Sequence, residues 1–212
     1  MKRGRPRKHQ SWDNRVETHP WKRFPEIDND ATQLILGSFP PNKFTDYPNR
    51  LSRCDEQFFY GSKDNAFWDL FIVAKDLALR WPDHLEGLKN WLSTNKWIIS
   101  DILLTTTRKK DSATDSDLVP VKWNTEVINR ILTNNPIQTI LFTSNWVKNK
   151  FDQEVKKELS AFTGSYREVV LISPSPAGLI STEWAKKELP ILDGEDLESY
   201  RQRYYQWALN EP

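Results

Sequence analysis

The residues best able to do chemistry in this chain lie just past, or between, four short apolar runs. Ser38 ends the first run and Phe39 follows it, in Gly37-Ser38-Phe39-Pro40-Pro41. Tyr60 and Asn65 bracket a polar loop that leads into a helical pattern. Asp101 closes the second run, and Ser173 and Ser175 alternate with prolines after the fourth. A ring can stack on a flat heterocycle, hydroxyls and a carboxylate can hydrogen-bond its edge, and a side-chain amide can orient a water. Proline-rich turns would hold such groups stiffly. Each residue also has a plain structural reading. Asn65 can cap the helix it precedes, although Asp64 can do that job instead. Phe39 can pack against the sheet end, Tyr60 can pack under its loop, Asp101 can bond its own loop, and Ser173 and Ser175 can be ordinary turn residues.

The elements that must position these groups follow from periodicity. The apolar runs are residues 33–38, 97–103, 139–143 and 168–173, short and rich in Ile, Val and Leu, as suits strands buried on both faces. Between them lie helical patterns at 65–79, 84–91, 124–132, 145–159 and 195–209. In the first of these, Phe67 and Trp68 fall on the core side, and Asn124 has the residue type of an N-cap. Strand–helix alternation predicts an α/β fold, a three-layer α/β/α sandwich around a central four-stranded parallel sheet. The polar stretch 105–122 reads as a long functional loop. In such sheets the ligand crevice opens beyond the carboxyl ends of the strands, where the candidate residues stand.

Composition narrows the function class. The chain has 212 residues, 38% hydrophobic and 28% charged, with no apolar run near the roughly 18 residues a membrane span needs. One cysteine, Cys54, excludes an internal disulfide framework and a four-cysteine metal or cluster site. His9, His19 and His84 are far apart, so the reading predicts no metal and no cofactor. Net charge is +1, yet Lys2, Arg3, Arg5, Arg7 and Lys8 supply five positives in eight residues. The remaining 25 basic and 29 acidic residues leave a body of about −4. A mildly acidic body behind a basic arm predicts a polyanion partner for the arm. Residues 1–23 are expected to form a flexible basic tail and residues 24–212 the folded domain.

The tail carries Arg3-Gly4-Arg5-Pro6-Arg7 and resembles an AT-hook, in which an Arg-Gly-Arg core enters the minor groove of A·T-rich DNA. Glycine permits close approach, proline keeps the chain extended, and a narrow groove strengthens the pull on arginine. A solvated basic tail or a nuclear import signal would have the same composition.

In the body, Gly37-Ser38-Phe39-Pro40, Tyr60-Gly-Ser-Lys-Asp-Asn-Ala-Phe-Trp68 and Ser173-Pro-Ser-Pro-Ala177 resemble motifs of the uracil-DNA glycosylase superfamily, most closely its hypoxanthine-DNA glycosylase branch. Fainter echoes are Ser100-Asp101-Ile102 and the segment 111–117. The resemblance departs at Phe39, where the branch has methionine, and at Pro41, where it has glycine. Ser62, Lys63 and Asp64 stand where the branch usually carries His-Pro-Arg. The first motif holds neither the aspartate nor the asparagine used by other members. Strong uracil activity of the usual kind is therefore not expected.

The resemblance implies a monofunctional DNA glycosylase of base-excision repair. Such an enzyme flips a deaminated base, hypoxanthine or uracil, out of DNA and hydrolyses its N-glycosidic bond with water, without a lysine intermediate. It implies Asn65 as the catalytic, water-orienting residue and Ser38, Phe39, Tyr60 and Asp101 as base-binding residues. Ser173, Ser175 and the tail arginines Arg3, Arg5 and Arg7 would grip DNA. The expected partner is damaged duplex DNA, with A·T-rich duplex as the tail's expected target. The protein is expected to be a monomer, not bound to membrane, cytoplasmic and DNA-associated, in the nucleoid or in a nucleus. The altered first turn leaves a second possibility, a glycosylase-shaped DNA-binding protein with weak or no activity. A serine hydrolase is disfavoured by the missing Gly-x-Ser-x-Gly elbow and histidine partner.

Overall fold

A computed structural model describes residues 15–26, 30–45, 50–159, 165–175 and 183–210. In chain order the strands and helices are β1 (Glu17–Thr18), β2 (Arg23–Phe24), β3 (Gln33–Gly37), α1 (Phe67–Ala74), α2 (Leu85–Thr94), β4 (Trp97–Asp101), β5 (Leu103–Arg108), β6 (Leu118–Trp123), α3 (Thr125–Asn134), β7 (Thr139–Phe142), α4 (Asn145–Lys150), β8 (Arg167–Val170), α5 (Ala185–Glu188) and α6 (Leu197–Asn210). The helix begun at α4 continues through a π-turn at Phe151–Val155 and a 3-10 turn at Lys156–Glu158.

The main sheet has the order β2-β4-β3-β7-β8. Strands β4, β3, β7 and β8 run parallel, and they are the four apolar runs of the sequence. The expected four-stranded parallel sheet is nonetheless corrected to a five-stranded mixed one, because β2 joins β4 antiparallel, with Arg23 opposite Ser100. Alternate residues face opposite layers, as period-two geometry requires. Ile35, Ile99, Leu141 and Val169 point to one core with α1, α2 and α6. Leu34, Leu36, Ile98, Ile140 and Phe142 point to the other, with α3 and α4. Helices thus cover both faces. Phe67 and Trp68 are fully buried in the first core.

Two further corrections concern the N-terminus and the stretch 105–122. The latter is mostly strand: β5 and β6 pair antiparallel, and β1 adds to β5, making a second sheet of order β1-β5-β6. Its residues are polar or alternate, Thr105-Thr106-Thr107 and Val119-Pro120-Val121, which suits a small, half-solvated sheet and gives none of the continuous apolar signal of a buried strand. Folded structure also starts before Phe24. Glu17 and His19 are buried, and Arg23 lies at the sheet edge. Among the described residues no helix is long and apolar enough to cross a membrane.

Candidate functional site

A cavity of about 560 Å³ opens at the carboxyl ends of the parallel strands. That volume lies in the range of small-ligand sites, roughly 300–1,000 Å³. Ser38, Phe39, Tyr60, Asn65, Asp101, Ser173 and Ser175 all line it, alongside Trp21, Lys43, Asp64, Asp115, Thr143, Ser144, Trp146 and Trp184. The seven described residues singled out from the sequence therefore meet at one site. Arg3, Arg5 and Arg7 lie outside the described residues.

The floor is built around Gly37, the last residue of β3. A Cβ there would stand 2.0 Å from the Tyr60 hydroxyl and 2.2 Å from Asp101 Oδ1. Only a bare Cα lets the phenol and the carboxylate crowd over this strand end. Tyr60 sits at φ 56°, and its ring packs on Phe67 with centroids 4.3 Å apart. Its hydroxyl donates to Thr143 Oγ1 at 3.3 Å. Burial, reinforced by the Asp101 charge, pushes the phenol well above its ordinary pKa, so it remains a neutral hydrogen-bond donor.

Asp101 has a partner 82 residues away in the chain. His19 Nε2 lies 2.7 Å from Asp101 Oδ2, and both side chains are buried. The Trp21 N–H donates to His19 Nδ1 at 3.0 Å, so the ring hydrogen is on Nε2 and points at the carboxylate. Asp101 Oδ1 has no hydrogen-bond partner. Asn124, expected as a cap, instead donates through Nδ2 to Ser100 Oγ at 3.1 Å and to the Asp101 carbonyl at 3.0 Å, locking the end of β4.

Phe39 is only 7% exposed. Its ring meets His19 edge-on at 5.3 Å and lies 5.7 Å from the Arg108 guanidinium. It thus forms wall as much as platform. Arg108 clasps the turn: Nη2 donates to the Pro40 carbonyl at 2.6 Å, Nη1 to the Ser112 carbonyl at 2.8 Å, and Nε to Glu17 Oε1 at 2.8 Å. Glu17 Oε2 in turn accepts from Thr45 Oγ1 at 2.6 Å. One buried ion pair therefore ties β1, β5, the first turn and the loop beyond β5 together.

The loop after β5 brings Asp115 into the cavity. Ser38 Oγ donates to Asp115 Oδ1 at 2.6 Å, and Ser144 Oγ donates to Oδ2 at 3.1 Å. Desolvation raises the pKa of Asp115 and outweighs the two serine hydrogen bonds; the nearby Asp101 charge adds to the rise and Arg108 opposes it. The sequence signal for Asp115 was slight, one of three aspartates in the polar segment 111–117, and sequence reasoning assigned it no role.

Asn65 is half-buried, and its Oδ1 accepts from the Phe67 N–H at 2.9 Å, so the amide does cap the start of α1. Asp64 does not relieve it of that task. Its own N–H donates to Ser62 Oγ, and its carboxylate lies 3.6 Å from Lys43 Nζ. The Asn65 Nδ2 group is the end of the amide not used by the cap. The loop that carries Tyr60 and Asn65 is pinned from below by Asp55, which accepts from Lys43 Nζ at 2.6 Å, Ser52 N–H at 2.7 Å and Lys63 N–H at 2.9 Å.

Ser173 and Ser175 lie 3.2 Å apart, hydroxyl to hydroxyl. The last helix fixes this loop. Tyr204 donates to the Val170 carbonyl, Tyr205 to the Ile172 carbonyl, and the buried Arg201 reaches the Pro174 and Ser175 carbonyls at 3.4 Å. The Ala66 N–H donates to the Pro174 carbonyl at 3.3 Å, so the serine–proline loop and the start of α1 share one wall.

No protein-family model matches the sequence, and no curated protein matches it. Among solved structures, one described as a "putative Uracil DNA glycosylase" from Methanosarcina acetivorans is similar, with 17% identity and a TM-score of 0.48. The match covers 89% of this chain and 98% of that one.

Proposed function

We propose that the protein is a monofunctional DNA glycosylase of base-excision repair that hydrolyses the N-glycosidic bond of a flipped deaminated base, hypoxanthine or uracil. The observation that carries this reading is the convergence of Ser38, Phe39, Tyr60, Asn65, Asp101, Ser173 and Ser175 on one cavity of nucleoside-binding size. They come from four separate stretches of sequence.

The chemistry asked of the site is bond heterolysis. The base leaves with the electron pair of the glycosidic bond, the sugar becomes oxocarbenium-like, and water adds at the same carbon. The described lining holds three carboxylates, Asp64, Asp101 and Asp115, against one ammonium, Lys43. A negative interior of this kind favours a cationic sugar. Phe39 and Tyr60 supply the ring walls, and the unpartnered Asp101 Oδ1 can accept an N–H from the base once Tyr60 moves aside. Asn65, with Oδ1 committed to the helix, would hold the water through Nδ2. Ser173 and Ser175 would meet phosphates at the rim. The AT-hook-like tail would add non-specific grip, since the acidic cavity offers little of its own. Deleting residues 1–10 should weaken duplex binding chiefly at low salt and flatten its salt dependence by several phosphate equivalents.

A second reading, a DNA-binding protein on a glycosylase-like scaffold, is favoured by two specific bonds. The Asn65 carbonyl is spent on capping, and the Ser38 hydroxyl is spent on Asp115. One experiment separates the readings. Duplexes carrying a single uracil, hypoxanthine, xanthine or mismatched thymine are incubated with the full chain and then treated with hot alkali. Strand scission at uracil or hypoxanthine supports the glycosylase; tight binding with no scission on any duplex supports the alternative.

A further inference from the structure

The first turn of the candidate site lacks a carboxylate, yet the cavity does not. We infer that Asp115 is the group that takes the proton from the attacking water, a role that rests on the glycosylase reading above. Among the described residues, three carboxylates line the cavity. Asp64 is largely exposed, its side chain 72% accessible, and lies beside Lys43. Asp101 crowds with Tyr60 over the bare Cα of Gly37, with one oxygen engaged by His19 and the other buried. Asp115 alone is held from two strand ends at once, by Ser38 after β3 and Ser144 after β7.

Each Asp115 oxygen accepts one serine hydrogen bond and keeps a second lone pair. Two donors from different turns fix the plane of the carboxylate at the mouth of the parallel strands, which is the preorganisation a proton acceptor needs. The serines are positioning residues in this scheme. Because its hydrogen points at Asp115, Ser38 cannot donate to a base edge while that bond persists. The step balances: the C–N bond breaks with its electron pair passing to the base, the water oxygen bonds to the sugar carbon, and one water proton moves to the Asp115 carboxylate. The proton is later returned to solvent or to the departing base anion. The charged and titratable groups around Asp115 are Asp101 at the end of β4, Arg108 at the end of β5 and Tyr60 from the loop before α1. Asp101 makes the carboxylate a better proton acceptor, and Arg108 partly offsets it.

The test is single-turnover base release from hypoxanthine- and uracil-containing duplexes across pH, with duplex affinity measured in parallel. In the wild type, release should fall about tenfold per pH unit at acid pH, as Asp115 protonates and loses its accepting lone pair. Asp115→Asn should bind duplex as the wild type does, release base at least about 100-fold more slowly, and lack the acid limb. Ser38→Ala removes one donor that favours the charged form, so its acid limb should move to higher pH while the plateau rate changes less. That shift is a readout a merely structural serine would not give, and it stands if Asp115→Asn folds poorly. An Asp115→Asn enzyme within about threefold of wild type with an unchanged acid limb, or a Ser38→Ala limb that does not move, would overturn the role of Asp115 and leave the glycosylase reading standing. A wild type that releases neither base would overturn both.

Discussion

The cavity has two walls of different construction. One is made of strand ends: Gly37, Ser38, Asp101, Thr143 and Ser144 emerge from β3, β4 and β7, whose backbones are paired along their length. The other comes from the small β1-β5-β6 sheet and the loops around it, with Glu17, His19, Arg108 and Asp115. The first wall is fixed by burial and ladder hydrogen bonds, which are insensitive to pH and salt. The second is fixed by charges in places where water is scarce. Removing one charge there leaves its partner stranded, whereas losing one apolar contact in the first wall leaves the ladder standing. The shape of the cavity therefore depends on a clasp that can be undone selectively.

The largest effect should come from Arg108. Its side chain is fully buried and bonded to Glu17, the Pro40 carbonyl and the Ser112 carbonyl. Arg108→Ala leaves the buried Glu17 carboxylate without its counter-ion and two carbonyls without their guanidinium donor, and should cost about 3–5 kcal/mol in chemical denaturation. The paired replacement Arg108→Met with Glu17→Leu should recover much of that loss, because it removes both charges together. If the walls differ as described, hydrogen exchange in Arg108→Ala should rise first in β1, β5 and the segment 109–117, with β3 and β7 protected up to global unfolding. Uniform loss of protection across both sheets would mean that the two walls are one cooperative unit.

The same contrast explains what was legible in the sequence. The four parallel strands announced themselves through Leu34–Leu36, Ile98–Ile99, Ile140–Phe142 and Val169–Val170: β3, β4 and β7, covered on both faces, are mostly apolar, and β8, at the sheet edge, is apolar in its second half. Their carboxyl ends then told where to look for a site, and Ser38, Phe39, Tyr60, Asn65, Asp101, Ser173 and Ser175 do gather there. The other wall gave no such signal. Thr105–Thr107 reads as loop because a half-solvated strand needs no apolar run. Glu17, His19 and Arg108 find their partners across 91 and 82 residues of sequence separation. A charge looks the same on a solvated face as in a buried clasp, and only the fold distinguishes them. Asn124 shows the limit in miniature: its type fits a cap, but its amide is used on Ser100 and Asp101.

A smaller effect should appear in acid. Burial by itself would raise the Asp55 carboxyl, but the Lys43 ammonium and the Ser52 and Lys63 N–H groups outweigh it and hold its pKa at about 2, against 3.8 ordinarily. A pKa lowered in the folded state contributes stability that is complete above about pH 4 and is lost as pH falls from there through 2. The contribution is roughly 2 kcal/mol for a shift of this size. Stability measured between pH 5 and 2 should therefore decline less steeply in Asp55→Asn than in wild type, although the variant is weaker at pH 7. Parallel curves for the two proteins would show that this pin does not carry the loop.

The smallest change in stability, and the most informative about the cavity, is expected at Asn65, which lines the cavity at the start of α1. Losing the bond from Oδ1 to the Phe67 N–H removes a helix cap, so Asn65→Ala should lower stability by about 1 kcal/mol. Asn65→Asp keeps an acceptor for that N–H and adds negative charge at a helix N-terminus, so it should hold stability near wild type. If the unengaged Nδ2 positions water, both substitutions should slow base release, since neither retains the amide donor. If Asn65 acts only as a cap, release should follow stability, reduced slightly in Asn65→Ala and unchanged in Asn65→Asp. Comparing the two variants at one temperature well below unfolding therefore separates a residue that shapes the wall from one that acts within it.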